Sequence, residues 1–180
     1  MQRHTNIMRV VVTGPVGAGK STFIRSISEI EVVDTDRRAT DETAQLKTNT
    51  TVAMDFGRLS LGDDMWLHLY GTPGQARFDF MWDLLIRRAH GYILLVPAHL
   101  PKQMQAAREI KAFMQSRSQA PMVVGITHTD HPNAWPEEDI QLVLGDGDLY
   151  TSLNANDRTA VAATLILLVE QWTAKLAQVV

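Results

Sequence analysis

The run Gly14-Pro15-Val16-Gly17-Ala18-Gly19-Lys20-Ser21 fits the pattern G-x-x-x-x-G-K-[ST] and constrains this chain more than any other segment. It follows Met8-Arg9-Val10-Val11-Val12-Thr13, a β-branched run that reads as a buried strand. It precedes Phe23, Ile24 and Ile27, which recur at helical spacing and predict a helix over about 20–28. A strand, a glycine loop and a helix in that order let backbone N–H groups turn inward around phosphate oxygens, with the positive end of the helix dipole behind them. Gly14, Pro15, Val16, Gly17, Ala18, Gly19, Lys20, Ser21 and Thr22 are therefore the candidate nucleotide-binding residues of this loop. Lys20 is expected to reach the β- and γ-phosphates of a nucleoside triphosphate, and the Ser21 hydroxyl to ligate Mg²⁺.

Downstream, strands and helices alternate. Segments 52–60 and 65–70 flank Leu61-Gly62-Asp63-Asp64, which reads as a hairpin turn between antiparallel strands. Tyr92 to Val96, Met122 to Ile126 and 149–153 read as further strands. Helices are expected around Leu85 and Ile86, around Ala107, Ile110 and Met114, and after Pro136, which is followed by Glu137, Glu138 and Asp139. A last helix presents Val161, Leu165, Leu168, Val169, Trp172 and Leu176 on one face. Residues 34–49 show no period and read as a long, mobile loop. The pattern predicts an α/β, P-loop NTPase architecture. Its sheet is mostly parallel and six-stranded, the second strand is antiparallel, and helices cover both faces. One domain spans 1–180, with its ligand at the carboxyl ends of the strands.

The composition closes off other chemistries. There is no cysteine, so disulfides, thiolate metal sites and cysteine nucleophiles are excluded, and a reducing cytoplasmic location fits. A net charge of −3 gives no electrostatic reason to expect nucleic acid as partner. The termini carry no lipidation motif, so no direct membrane anchor is expected. His4, His68, His90 and His99 are scattered, with no H-E-x-x-H run and no legible Ser-His-Asp arrangement.

Three more motifs come after the phosphate loop in order. They are Thr50-Thr51-Val52-Ala53-Met54-Asp55-Phe56, then Gly71-Thr72-Pro73-Gly74-Gln75-Ala76-Arg77-Phe78, then Thr127-His128-Thr129-Asp130. With them the chain resembles the Ras-like small GTPases over essentially its whole length. Within that superfamily it is similar to the bacterial branch around the gliding-motility GTPase MglA and the roadblock-associated GTP-binding proteins. The resemblance implies a GTP/GDP switch in which Thr51 holds Mg²⁺ and senses the γ-phosphate, Gly74 offers its N–H to that phosphate, and Gln75 orients the attacking water. Lys20, Thr51 and Gln75 would be the catalytic set, and Ser21 and Thr51 the metal ligands. It further implies that Asp130 reads the guanine N1–H and 2-amino group, with Thr127 in the Asn place of the base motif, His128 in the Lys place, and the Ala155 N–H on guanine O6. A roadblock/LC7-type regulator or a GTPase-activating protein would be the partner.

Three departures bear on hydrolysis. Val16 stands where Ras has Gly, Gly71 replaces the switch II Asp that holds a Mg²⁺-bound water, and Ala76 replaces a frequent Glu. Low intrinsic turnover is therefore expected. A non-hydrolysing GTP-binding scaffold, and a P-loop ATPase or small-molecule kinase, stay open as alternatives. A metal cluster of His128, Asp130 and His131 is a further alternative for the base motif.

Overall fold

The computed structural model describes residues 6–34, 55–73 and 80–179. In chain order the elements are β1 (Asn6–Thr13), α1 (Lys20–Ile27), β2 (Val33–Asp34), β3 (Asp55–Leu61), β4 (Met65–Gly71), α2 (Phe80–Arg88), β5 (Gly91–Pro97), α3 (Met104–Arg117), β6 (Met122–Thr127), α4 (Glu137–Leu144), β7 (Leu149–Ser152) and α5 (Arg158–Ala177). A 3-10 turn, Pro101–Gln103, leads into α3.

The strands form one sheet in the order β2-β3-β4-β1-β5-β6-β7. β1 pairs in parallel with β4 and β5, and β5-β6 and β6-β7 are also parallel. β3 is antiparallel to both of its neighbours, and the hairpin at Gly62 demands this of its pairing with β4. All six expected strands are present, in the mixed arrangement expected of a P-loop GTPase. The two-residue β2 at the sheet edge is an addition, too short to leave a periodic signal. The long loop expected at 34–49 falls, apart from Asp34, outside the described residues.

Alternation along the strands divides the interior in two. Val10, Val12, Ile93, Leu95 and Val123 face α1 and α5, where Phe23, Ile24, Leu165 and Leu168 complete one core. Val11, Tyr92, Leu94, Val96 and Val124 face the opposite way, toward Ile86, Ala107, Ile110, Met114 and Ile140. The central strands β5 and β6 are buried throughout, so they read in sequence as continuous apolar runs. α5 buries Val161, Thr164, Leu165 and Leu168, but its last turn leaves Leu176 half exposed rather than on the packed face. At 20 residues and a mean hydropathy of 1.3, α5 has the length and composition to cross a membrane; here one face lies on the sheet.

α1 sits against the β3-β4 hairpin with no space to spare. A Cβ at Gly57 would lie 2.6 Å from Ile24 Cγ2, and one at Gly71 would lie 2.9 Å from Ile24 Cδ1. The Arg58 N–H donates to Ser28 Oγ at 3.2 Å, and the Glu29 N–H to the Arg58 carbonyl at 2.8 Å, so the end of α1 is stitched to the same strand.

Because β1, β4, β5, β6 and β7 run one way, their carboxyl ends share one edge of the molecule. β3 begins at that edge.

Candidate functional site

The phosphate loop leaves β1 at Gly14, whose φ of 148° and position against β5 leave no alternative to glycine: a Cβ there would lie 2.3 Å from the Leu95 carbonyl oxygen. The chain then turns through Pro15 to Ala18, closed by the Ala18 N–H donating to the Pro15 carbonyl at 3.3 Å. Gly19 caps α1 in the left-handed conformation. The Lys20 ammonium folds back to donate to the Gly14 carbonyl at 2.7 Å and the Pro15 carbonyl at 2.8 Å. It is buried rather than at the surface, and that burial, opposed by the Asp55 carboxylate, pulls its pKa down from 10.5 to about 8. A cation held beneath a helix N-terminus and short of counter-charge is suited to accept phosphate. Val16, 52% exposed, stands at the rim of the loop.

Ser21 Oγ donates a short hydrogen bond to Asp55 Oδ2 at the start of β3. Asp55 lies directly opposite Gly71 in the β3-β4 pair. A carboxylate thus stands across the strand pair from position 71, on a residue that motif matching alone passes over. The signal is in the sequence, since Asp55 belongs to the run 50–56, but only the cross-strand register shows where it points. A serine hydroxyl and a carboxylate are the hard oxygen donors that Mg²⁺ prefers, so the pair fits that ion. Among the described residues no group of three or more His, Cys, Asp or Glu side chains is disposed to hold a metal, which removes the His128, Asp130, His131 cluster.

Beyond the phosphate loop lies a cavity of about 330 Å³, bounded by Gly19 and Thr22 on one side and by Thr127, His128, Asp130 and 153–156 on the other. Thr127 is buried at the end of β6, and its hydroxyl donates to the Ala18 carbonyl at 2.8 Å, tying the two loops together. Opposite, a Cβ at Gly19 would come within 3.3 Å of the Ala155 Cβ, and Ser26 Oγ donates to the Ala155 carbonyl. The Asn156 N–H donates to Asn154 Oδ1 at 2.9 Å, shaping the turn that leads to the Asp157 cap of α5. His128 has φ 58°, the one non-glycine residue with positive φ among those described. Asp130 is exposed, so a bound base, not the protein, would shield it from water.

Gly14, Pro15, Val16, Gly17, Ala18, Gly19, Lys20, Ser21, Thr22, Thr127, His128, Asp130 and Ala155 thus gather along one edge. Thr51, Gly74 and Gln75 lie outside the described residues.

These features define a Ras-like small-GTPase fold built on a phosphate loop. The chain matches, over residues 12–178, the model of a family described as "Conserved hypothetical ATP binding protein", and it belongs to that family. It is similar to the Arl6 small GTPase of Trypanosoma brucei, solved with the nucleotide analogue GppNp. That match has a TM-score of 0.67 and 16% identity, and it covers 94% of this chain and 99% of that one. Among curated proteins it is 30% identical over 92 residues to an uncharacterized protein of Methanocaldococcus jannaschii, covering 51% of each. It is also 27% identical over 160 residues to a Ras and EF-hand domain-containing protein homolog of Mus musculus, covering 87% of this chain and 21% of the mouse protein. The chain therefore spans about half the length of the first relative and a smaller share of the second.

Proposed function

We propose that this chain is a single small-GTPase domain over 1–180, a GTP/GDP-dependent switch that binds Mg²⁺-GTP and hydrolyses it slowly in the cytoplasm. The observation that carries the reading is the cavity shared by Gly19 and Thr22 on one wall and Thr127, His128 and Asp130 on the other. A nucleotide with its phosphates on the loop and Lys20 has its base delivered to Asp130. That carboxylate can accept from the guanine N1–H and 2-amino group, and adenine offers no such donor pair. Ser21 and Asp55 would hold Mg²⁺, directly or through its water, together with Thr51, and the ion would neutralise charge on the β- and γ-phosphates. Gln75 would orient water, and Gly74 would approach the γ-phosphate, as in the GTPases this chain resembles.

Competition of ATP against fluorescent GDP tests the assignment. Leaving a base-shielded Asp130 without donors costs several kcal/mol, so ATP should bind at least ~10²-fold more weakly. Asp130→Asn should turn preference toward xanthine nucleotides. Equal affinity for ATP would favour the second reading, an ATP-binding protein, which the family's description supports. The MglA-like branch, and a small roadblock/LC7-type regulator as partner, rest on sequence resemblance alone. A pulldown with GTP-analogue-loaded and GDP-loaded protein tests the partner, which should prefer one state.

A further inference from the structure

His99 lies far from His128 and His131 in the sequence, but the fold brings its ring against both of theirs. The Ala98 N–H donates to the Thr127 carbonyl at 2.9 Å and the Trp135 N–H to the Ala98 carbonyl at 2.9 Å, which lays the segment after β5 along the base loop. The His99 ring then contacts two others, 4.2 Å from the His128 centroid at 37° and 4.8 Å from the His131 centroid at 42°. Both pairs are tilted contacts rather than parallel stacks, and no metal geometry accompanies them among the described residues.

The hydrogen bonds specify protonation. Thr127 gives its hydroxyl proton to Ala18, so the 3.1 Å contact between Thr127 Oγ1 and His128 Nδ1 has the ring nitrogen as donor. His131 Nδ1 accepts from the Asn133 N–H at 3.1 Å, so it carries no proton. His99 Nδ1 is buried with no partner among the described residues. Burial first, then the charges of His128 and His131, hold the His99 pKa below its ordinary value. Protonating His99 places a cation against both neighbouring rings, with no carboxylate among the groups that act on it. The carboxylate of the loop, Asp130, is exposed and lines the cavity instead.

His128 also lines that cavity, held by its left-handed backbone with one side of its ring against His99. We propose that the purine of the bound nucleotide stacks on His128, and that His99, packed against both His128 and His131, holds this ring in place only while His99 is neutral, so that acidification speeds nucleotide release. The proposal rests on the guanine-nucleotide reading of the cavity. His128 is the base-contacting residue, and His99 and His131 are positioning residues. The ring surface takes the part that an aliphatic lysine stem would play, and it adds a response to pH that lysine cannot give near neutrality.

The test is dissociation of fluorescent GDP from the full chain between pH 5.5 and 8, for the wild type, His99→Phe and His99→Ala. The wild type should release about tenfold faster at pH 5.5 than at 7.5, the loss expected when one base-aromatic contact is weakened. His99→Phe keeps a ring against His128 and His131 but takes no proton, so its profile should be flat and slow. His99→Ala should release quickly at both ends of the range. A flat wild-type profile, or a pH step retained in His99→Phe, would overturn the proposal. So would an NMR ring titration of the free protein with His99 at or above the ordinary histidine value. Failure of GDP to bind at any pH would instead remove the guanine reading itself.

Discussion

Asp55 and Gly71 face each other across the β3-β4 pair, and the carboxylate that position 71 lacks stands on its partner, hydrogen-bonded to Ser21. If this is where Mg²⁺ is held, Asp55→Ala should raise the Mg²⁺ concentration needed for GTP binding by roughly 10–100-fold, the usual cost of losing a supporting carboxylate. The double variant Asp55→Gly with Gly71→Asp moves the carboxylate across the strand pair and should recover part of the loss. A Cβ at position 71 meets the end of the Ile24 side chain at 2.9 Å, so Ile24 must shift to admit it. Calorimetric titration of Mg²⁺ into the GTP-loaded protein measures both. An unchanged Mg²⁺ requirement in Asp55→Ala would mean that the ion sits elsewhere.

Lys20 predicts a stability signature separate from binding. Its folded pKa, about 8, lies below the 10.5 of an ordinary lysine, so between those values the unfolded chain holds more protons and stability rises with pH. Below about pH 8 the full penalty applies, about 3 kcal/mol at that difference. Lys20→Met should therefore raise the melting temperature of the nucleotide-free protein at pH 7 and remove its rise between pH 8 and 10.5, while weakening nucleotide binding at least ~10²-fold. Scanning calorimetry across that window, with equilibrium dialysis for binding, checks each half. A melting temperature that falls at pH 7 would show that the two loop carbonyl bonds outweigh the buried charge.

Thr127→Val keeps shape and removes one hydroxyl. The Ala18 carbonyl loses its donor, and His128 Nδ1 loses its acceptor. A loss of roughly 1–3 kcal/mol in stability is expected, with faster GDP release, because the phosphate loop and the base loop no longer share that bond. Denaturant unfolding and stopped-flow dissociation read the two effects. Faster release without a change in stability would assign Thr127 to the ligand alone.

Val16 is the bulky residue at the rim of the loop. Val16→Gly should speed single-turnover GTP hydrolysis and leave GTP affinity within a few-fold, since it opens space without removing a donor. The wild type alone is expected at or below the roughly 3–5 × 10⁻⁴ s⁻¹ at which Ras turns over without its activator. A rate unmoved or slowed by the substitution, in a protein that already hydrolyses quickly alone, would turn attention to Arg37 and Arg38, the basic pair upstream of Thr51.

Most of the frame is legible because it is written locally. Val10, Val11 and Val12 announce a buried strand, the glycine loop announces the helix behind it, and the helix periods in Phe23, Ile24 and Ile27 are unambiguous. The parts that escape depend on register and on loops meeting from distant parts of the chain. Nothing local says that Asp55 lies opposite Gly71, since the turn at Gly62 fixes that pairing. Nothing local brings His99 to His128, since parallel pairing of β5 with β6 does so. The burial of Lys20 escapes for a related reason: it comes from the way the loop folds over the side chain, which a motif does not state.

The fit of Ile24 over Gly57 and Gly71 also fixes how the two halves of the site can travel. Sliding β3 by two places would bring Asp55 or Leu59 under Ile24, and sliding β4 would bring Leu69 or Pro73, where even a Cβ at the present glycines would lie less than 3 Å from that side chain. The hairpin therefore has no sliding freedom along α1. The helix bearing Ser21 and the strand bearing Asp55 are thereby held in one register, with the hydroxyl and the carboxylate facing each other at the rim.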